Sequence, residues 1–230
     1  MEYFLQLPKT YLAEITLGQE TDTLDNTGAV VSEKPVSALT MADLNRATAR
    51  FSGEIMQTPP IFSNVRVDGR RAHELAREGK EATMKPRKTV IHDLCLLTHS
   101  TNRLTVRCQV SSGTYIRALA RDIAQELGTV GHLSVLRRTK IGPFDVPDLA
   151  NSYSNPAGTV TQQLVDNLAL EFIEPMEISS DEARRFCQGQ RIPVVVTTTA
   201  GLKRVMSDGQ LVGIAATDGR VLRVAKIYPN

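Results

Sequence analysis

The chain has 230 residues, 27 Lys and Arg against 25 Asp and Glu, a formal charge of +2, and 41% hydrophobic and 23% charged side chains. This composition excludes wholesale disorder, collagen-like repeats and coiled coils, and the length suffices for one large domain or two small ones. The near-neutral total conceals a segregation: residues 1–63 carry a net −4, residues 64–88 carry +4, residues 89–145 carry +3 and residues 146–230 carry −1.

A basic middle between acidic flanks fits a polyanion-docking face, and it fits an ordinary solvated basic face equally well. Cys95, Cys108 and Cys187 are odd in number and form no C-x-x-C pair, so neither a disulfide framework nor a zinc cluster is expected. All three are expected to be small buried hydrophobes. The N-terminus has no basic segment leading into a long apolar run, and no stretch approaches a membrane span. A cytoplasmic protein without membrane contact is expected.

In chain order, Thr10 to Leu17 alternates as a strand with Tyr11, Ala13, Ile15 and Leu17 on one face. A polar loop, Gly18 to Gly28, follows. Thr40 and Asp43 are spaced as a capping box, opening a helix with Leu44, Ala47 and Phe51 on one face and Gly53 as its stop. Thr58-Pro59-Pro60 is a stiff extended connector, and a short basic helix runs from Arg70 to Glu78 with Gly79 after it. Val90–Leu97 and Arg103–Val110 read as strands, the second with Leu104, Val106, Cys108 and Val110 facing a core. Ser112-Gly113-Thr114 turns into a helix carrying Ile116, Leu119, Ala120, Ile123 and Leu127, closed by Gly128. Leu133–Ile141 is a strand that puts Leu136 and Arg138 on the same face. The irregular interleaving of strands and helices predicts an α+β fold with a mixed sheet. Residues 151–161 are polar with Pro and Gly, a linker; beyond them Ser180 caps a short helix ending at Gly189. Strands near 193–197, 204–206, 210–216 and 220–227, with Asp208-Gly209 and Asp218-Gly219 turns, make a small β-rich appendage.

No stretch reads as a phosphate loop or nucleotide fingerprint, and the histidines at 73, 92, 99 and 132 are scattered, as surface or packing residues are. Arg117 stands out. It falls in the first turn of a helix, where a cation opposes the macrodipole by a few tenths of a kcal/mol (~0.3 or more). Pairing with a buried carboxylate would account for it, and so would an exposed arginine pointing away from the helix end.

Taken together and in order, Lys9-Thr10-Tyr11 with LGQETDTLDNTG, TPPIFSNVRVDGRRAHELAREG, SSGTYIRALARDIAQELG and GHLSVLRRTKIGPF resemble the TruB-type family of tRNA pseudouridine-55 synthases. The resemblance implies a partial catalytic domain over residues 1–150, with a tRNA-gripping insertion at 59–88. It also implies a linker and helical connector at 151–178 and a PUA-like RNA-binding domain at 179–230. The implied reaction needs no metal or organic cofactor: a uridine is flipped from the tRNA T-arm, attacked by an aspartate, detached, turned and rejoined through carbon. Tyr11 would stack on the base, Arg117 would orient the nucleophile, and Leu136 would pack against the base. Arg66, Arg70, Arg71, Arg77, Lys80, Arg137 and Arg138 would meet RNA phosphates. Arg66 stands where the family often has lysine.

The family's nucleophile lies in a G-T-L-D-P-x-A-x-G motif upstream of the K-x-Y strand, and these 230 residues contain no such motif. The chain begins only eight residues before Lys9, so the expectation is an N-terminally truncated catalytic domain, inactive alone, with strands left as exposed edges. A separate polypeptide would be one source of the missing part. Thr23-Leu24-Asp25 is no substitute: it matches the family's separate T-D-T-x-D-x-x-G loop. Asp25 is therefore expected to be a solvated turn residue making an Asx-type bond. The alternative is a tRNA-binding or tRNA-remodelling module without catalysis; the basic 64–145 segment argues against a scaffold unrelated to RNA.

Overall fold

The computed structural model describes residues 2–80, 82–145, 170–194 and 198–228. The chain divides into two compact units, Met1–Asp148 and Leu149–Asn230.

The first unit is built on a six-stranded main sheet. In chain order its elements are α1 (Glu2–Leu5), β1 (Lys9–Leu17), β2 (Gln19–Thr21), β3 (Val30–Glu33), α2 (Met41–Arg50), β4 (Gly53–Gln57), β5 (Arg66–Val67), β6 (Arg70–Arg71) and α3 (Ala72–Arg77). These are followed by β7 (Arg87–His99), β8 (Arg103–Val110), α4 (Ile116–Glu126), β9 (Gly131–Ile141) and β10 (Phe144–Asp145). The main sheet has the order β10-β9-β1-β8-β7-β4, and every ladder in it is antiparallel. The α+β class holds, but this sheet is antiparallel and not the mixed sheet expected, because its neighbouring strands run in opposite directions throughout. Among the described residues, parallel pairing is limited to a single Asp25–Leu133 bridge here and to one ladder of the second unit.

Alternation determines which face of this sheet is buried. Ala13, Ile15 and Leu17 of β1 line up with Leu104, Val106, Cys108 and Val110 of β8, and all are buried with Leu44 of α2 and Leu119 and Ile123 of α4. Each buried Ile, Leu or Val among them contributes about 1.5–3 kcal/mol. The predicted capping box of α2 is present: Asp43 N–H donates to Thr40 Oγ1 (3.2 Å) and Thr40 N–H donates to Asp43 Oδ2 (3.1 Å).

Several elements depart from expectation. The polar stretch after Gly18 contains a hairpin, β2–β3, closing around residues 22–28. Gly53 both follows α2 and opens β4, an edge strand whose exposed Glu54 and Met56 carry no apolar period. Two short strands precede α3, joined by a turn with Asp68 at φ 50° and Gly69 at φ 83°, the two positive φ angles a type I′ hairpin turn requires. Cys108 is buried, but Cys95 and Cys187 are exposed, so only one of the three behaves as a small core hydrophobe.

The second unit has a five-stranded sheet, β11 (Pro175–Glu177), β13 (Gly201–Ser207), β14 (Gln210–Thr217), β15 (Val221–Ile227) and β12 (Ile192–Pro193), in the order β11-β13-β14-β15-β12. Helix α5 (Ser180–Cys187) buries Phe186 against it. Gly213 permits that approach, because a Cβ there would lie 2.9 Å from the Phe186 ring and 2.2 Å from Lys226 O. The cap of α5 is Ser179, not Ser180, since Ser179 Oγ accepts from Glu182 N–H. Lys203 is buried on β13 and ion-paired with Glu174, which fastens the segment before β11 to the sheet. The 151–161 linker and residues 195–197 of the predicted strand lie outside the described residues.

Candidate active site

The first two turns of α4 gather two separate segments, residues 23–25 and 57–62. Tyr115 N–H donates to Gln57 Oε1 (2.9 Å), pinning the end of β4 to the helix start. Arg117 reaches Thr23 O (2.9 Å), Asp25 Oδ2 (3.0 Å) and Phe62 O (2.8 Å). Arg121, one turn on, donates to Thr58 O (3.1 Å) and pairs with Asp122. Burial raises the Asp122 carboxyl above its ordinary value, against the opposing pull of Arg121. The guanidinium of Arg117 thus holds the 22–28 loop and the Pro-containing connector against α4. Those charge-assisted bonds outweigh the few tenths of a kcal/mol (~0.3 or more) by which the macrodipole disfavours a cation there.

Asp25 is not the solvated turn residue that its acidic neighbourhood suggests. Its side chain is 24% exposed and that of Arg117 26%. The expected Asx-type bond is present, with Thr27 N–H donating to Oδ1 (3.0 Å), and Oδ1 also accepts from Thr23 Oγ1 (2.7 Å) and Thr27 Oγ1 (2.5 Å). Burial pushes this carboxyl up, but the bonds from Thr27 and Thr23 and the Arg117 charge outweigh it and hold it below the usual carboxylate range. Three donors thus converge on Oδ1, whereas Oδ2 accepts from Arg117. The loop needs Gly28, because a Cβ there would sit 2.2 Å from Asp22 Oδ1 and 2.8 Å from Thr23 N.

Beside this cluster lies one face of β1 and β9. Tyr11 is opposite Cys108 on one side and Arg138 on the other, and Ala13 is opposite Val106 and Leu136. Tyr11, Leu136 and Arg138 therefore share the face that α4 covers, and Leu136 remains 46% exposed at its open end. Lys9 adds a second cation near Arg138; burial first, then the Arg138 charge, lowers its ammonium, whose protons go to Leu5 O and Leu7 O. The loop runs along the outer edge of β9, with Leu133 N–H donating to Leu24 O (3.0 Å) and Asn26 Nδ2 donating to Ser134 O (2.7 Å).

A family model of "TruB family pseudouridylate synthase (N terminal domain)" matches residues 1–116, and two TruB C-terminal models match residues 117–178 and 175–224. The tRNA pseudouridine synthase B of Caldanaerobacter subterraneus subsp. tengcongensis is 33% identical over 229 residues, covering 98% of this chain and 79% of that protein. That of Aquifex aeolicus is 36% identical over 228 residues, covering 96% and 78%. The chain belongs to the TruB family of pseudouridylate synthases. Such enzymes are isomerases. The fold agrees: an H/ACA RNP bound to a substrate RNA containing 2′-deoxyuridine matches with TM-score 0.65 at 19% identity, covering 100% of this chain and 68% of that one. A Cbf5-Nop10-Gar1 complex matches with TM-score 0.64 at 20% identity, covering 97% and 67%.

The cations named from this TruB-family sequence are not equivalent in the fold. Arg138 lies on the Tyr11–Leu136 face, whereas Arg137 pairs with Leu12 and so lies on the other. Arg70 and Lys80 both bind Glu78, whose carboxyl is held down to about 2, first by the hydrogen bond from Arg70 and then by that from Lys80. Arg66 and Arg71 face each other across the hairpin, and among the described residues no carboxylate pairs with their guanidinium groups or with that of Arg77. Gln57, Asn26 and His132 belong to the site's framework and were not singled out by any sequence signal; each is a single polar residue whose partner is distant in the chain. Among the described residues no group of three or more His, Cys, Asp or Glu is placed to hold a metal ion, and no helix is long and apolar enough to cross a membrane.

Proposed function

We propose that these 230 residues form the substrate-handling part of a cytoplasmic tRNA pseudouridine-55 synthase. They grip the T-arm through the 59–88 segment and hold a flipped uridine over Tyr11 and Leu136. The observation that carries this reading is the Arg117 guanidinium, bound to Thr23 O, Asp25 and Phe62 O beside the face that displays Tyr11, Leu136 and Arg138.

Flipping the base costs a few kcal/mol (~3) of unstacking, which stacking on Tyr11 and contact with Leu136 offset. In the reaction, a nucleophilic aspartate bonds C1′ of the sugar as the bond between N1 and C1′ breaks, and the base turns. A carbon–carbon bond between C5 and C1′ then forms and releases the aspartate, N1 takes up a proton, and the C5 proton leaves near Tyr11. Asp25 serves here as the fixed carboxylate that aims Arg117, and Arg117 in turn presents its remaining edge to the nucleophile. The nucleophile is supplied by sequence outside these 230 residues, on the same or a separate polypeptide. A second reading, a tRNA-binding module without turnover, is favoured by one fact: among the described residues, Asp25 is the only carboxylate paired with Arg117.

The test uses tRNA labelled with tritium at uracil C5. The purified 230-residue chain is expected to bind it with an affinity that falls steeply with salt and to release no tritium. Adding a polypeptide that carries G-T-L-D-P restores release under the first reading and has no effect under the second. Turnover by the chain alone would make Asp25 the nucleophile and overturn both. Absent or salt-independent binding would remove RNA from the account.

A further inference from the structure

His132 is buried on β9, 7% exposed, and both ring nitrogens are engaged: Nδ1 lies 2.8 Å from Gln19 O and Nε2 lies 3.1 Å from Asn26 Oδ1. A backbone carbonyl can only accept, so Nδ1 must carry a proton. The orientation of the Asn26 amide is also fixed. Its Nδ2 donates to Ser134 O at 2.7 Å, and turning the amide over would set two carbonyl oxygens against each other. Oδ1 therefore faces His132, and Nε2 must carry a proton as well. Both bonds are made at once only by the imidazolium.

The position of Asn26 gives this proton a consequence. Residues 24–26 run along the outer edge of β9, bridged at Asp25–Leu133. From that edge, neighbouring side chains go to opposite faces. Asp25 reaches Arg117 on the α4 face, and Asn26 reaches His132, which sits opposite Thr16 and Arg103 on the other face. Leu24, between Thr23 and Asp25, is held at φ 62°, a left-handed conformation that an L residue keeps only when its surroundings impose it.

We infer that His132 is a positioning residue: as an imidazolium it clamps Asn26, and through Asn26 it sets the Asp25–Arg117 pair. The inference rests on the role given above to that pair. Loss of the Nε2 proton places a lone pair against Asn26 Oδ1, so the loop gives up one of its two side-chain ties to β9. The loop is held at lower pH and loosens as pH rises. Charged groups on the surrounding elements are Glu14 and its partner Arg103 on the same face of the sheet, Glu20 on β2, Glu33 opposite Gln19 on β3, and Asp22 and Asp25 in the loop.

The experiment needs no RNA, so its failure is separable from a failure to bind tRNA. Ring-nitrogen and loop-amide NMR signals of the free chain are followed with pH. Both His132 nitrogens should be protonated at the acid end, and the amides of Asp25 and Thr27 should move with the same midpoint as the ring. Asn26→Asp should raise that shared midpoint by about one unit, because a carboxylate replaces a neutral acceptor. His132→Gln should abolish the step in the loop amides while leaving α4 signals in place. Loop amides that titrate independently of the ring, or a midpoint unchanged in Asn26→Asp, would overturn the inference. If His132→Gln does not fold, the wild-type and Asn26→Asp titrations decide it.

Discussion

Replacing Asp25 by Asn removes one charge and leaves the shape of the side chain almost unchanged. Both members of the Arg117–Asp25 pair are about three-quarters buried, so solvent screens the interaction less than it does a surface pair. A hydrogen bond between charged groups contributes about 1.5–3 kcal/mol. Arg117 keeps its bonds to Thr23 O and Phe62 O, which moderates the loss to about 2 kcal/mol. For a unit the size of Met1–Asp148, that corresponds to a fall in Tm of roughly 4–8 °C. The pH dependence has a definite sign. Because the folded carboxyl is held below its ordinary value, its contribution is complete above the unfolded pKa of about 3.9 and is lost as pH falls through the folded value. Urea unfolding of wild type and Asp25→Asn should therefore differ at neutral pH and converge in acid. A cycle with Arg117→Met should show a coupling of about 1–2 kcal/mol. Equal stabilities at neutral pH, or a difference that survives undiminished in strong acid, would refute the assignment of Asp25 as a paired carboxylate.

Three further outcomes are expected. Gly28→Ala should destabilise the loop by about 1–3 kcal/mol, since the added Cβ meets backbone at 2.8 Å; thermal unfolding measures it. Cys95 and Cys187 should react quickly with a thiol reagent in the native protein, whereas Cys108, whose thiol burial pushes up to about 12, should react only on unfolding. Glu78→Gln should free Arg70 and Lys80 for phosphate contact, tightening tRNA binding at low salt and steepening its salt dependence.

The parts of the fold that could be read in the sequence were those with an internal period. β8 was predicted over the residues it occupies because Leu104 through Val110 alternate without interruption. The shared face of Leu136 and Arg138 followed from the same rule. α2 carried its own start signal in Thr40 and Asp43. β4 was hidden because an edge strand does not need apolar alternation, and its Gly53 also served as a helix stop. In the site, the character of Arg117 was visible as an anomaly of placement, but its partner was not. Asp25 stands 92 residues away in an acidic stretch, where local composition points to solvent. Only the closure of the loop on β9 reverses that, through Thr23, Thr27 and Asn26, whose individual identities are ordinary for a turn.

The central position of β1 also governs how the first unit comes into being. Its partners are β8 and β9, with Leu17 opposite Gly131, so the strand leaves the ribosome more than a hundred residues before its second neighbour does. At about 5–20 residues per second, β1 waits roughly 6–23 seconds before its second edge can pair. Such non-local pairing slows folding and lengthens the interval during which the strand can be captured by another chain. Late completion of the sheet during synthesis is thus built into the same strand order that brings Tyr11, Arg138 and Leu136 together.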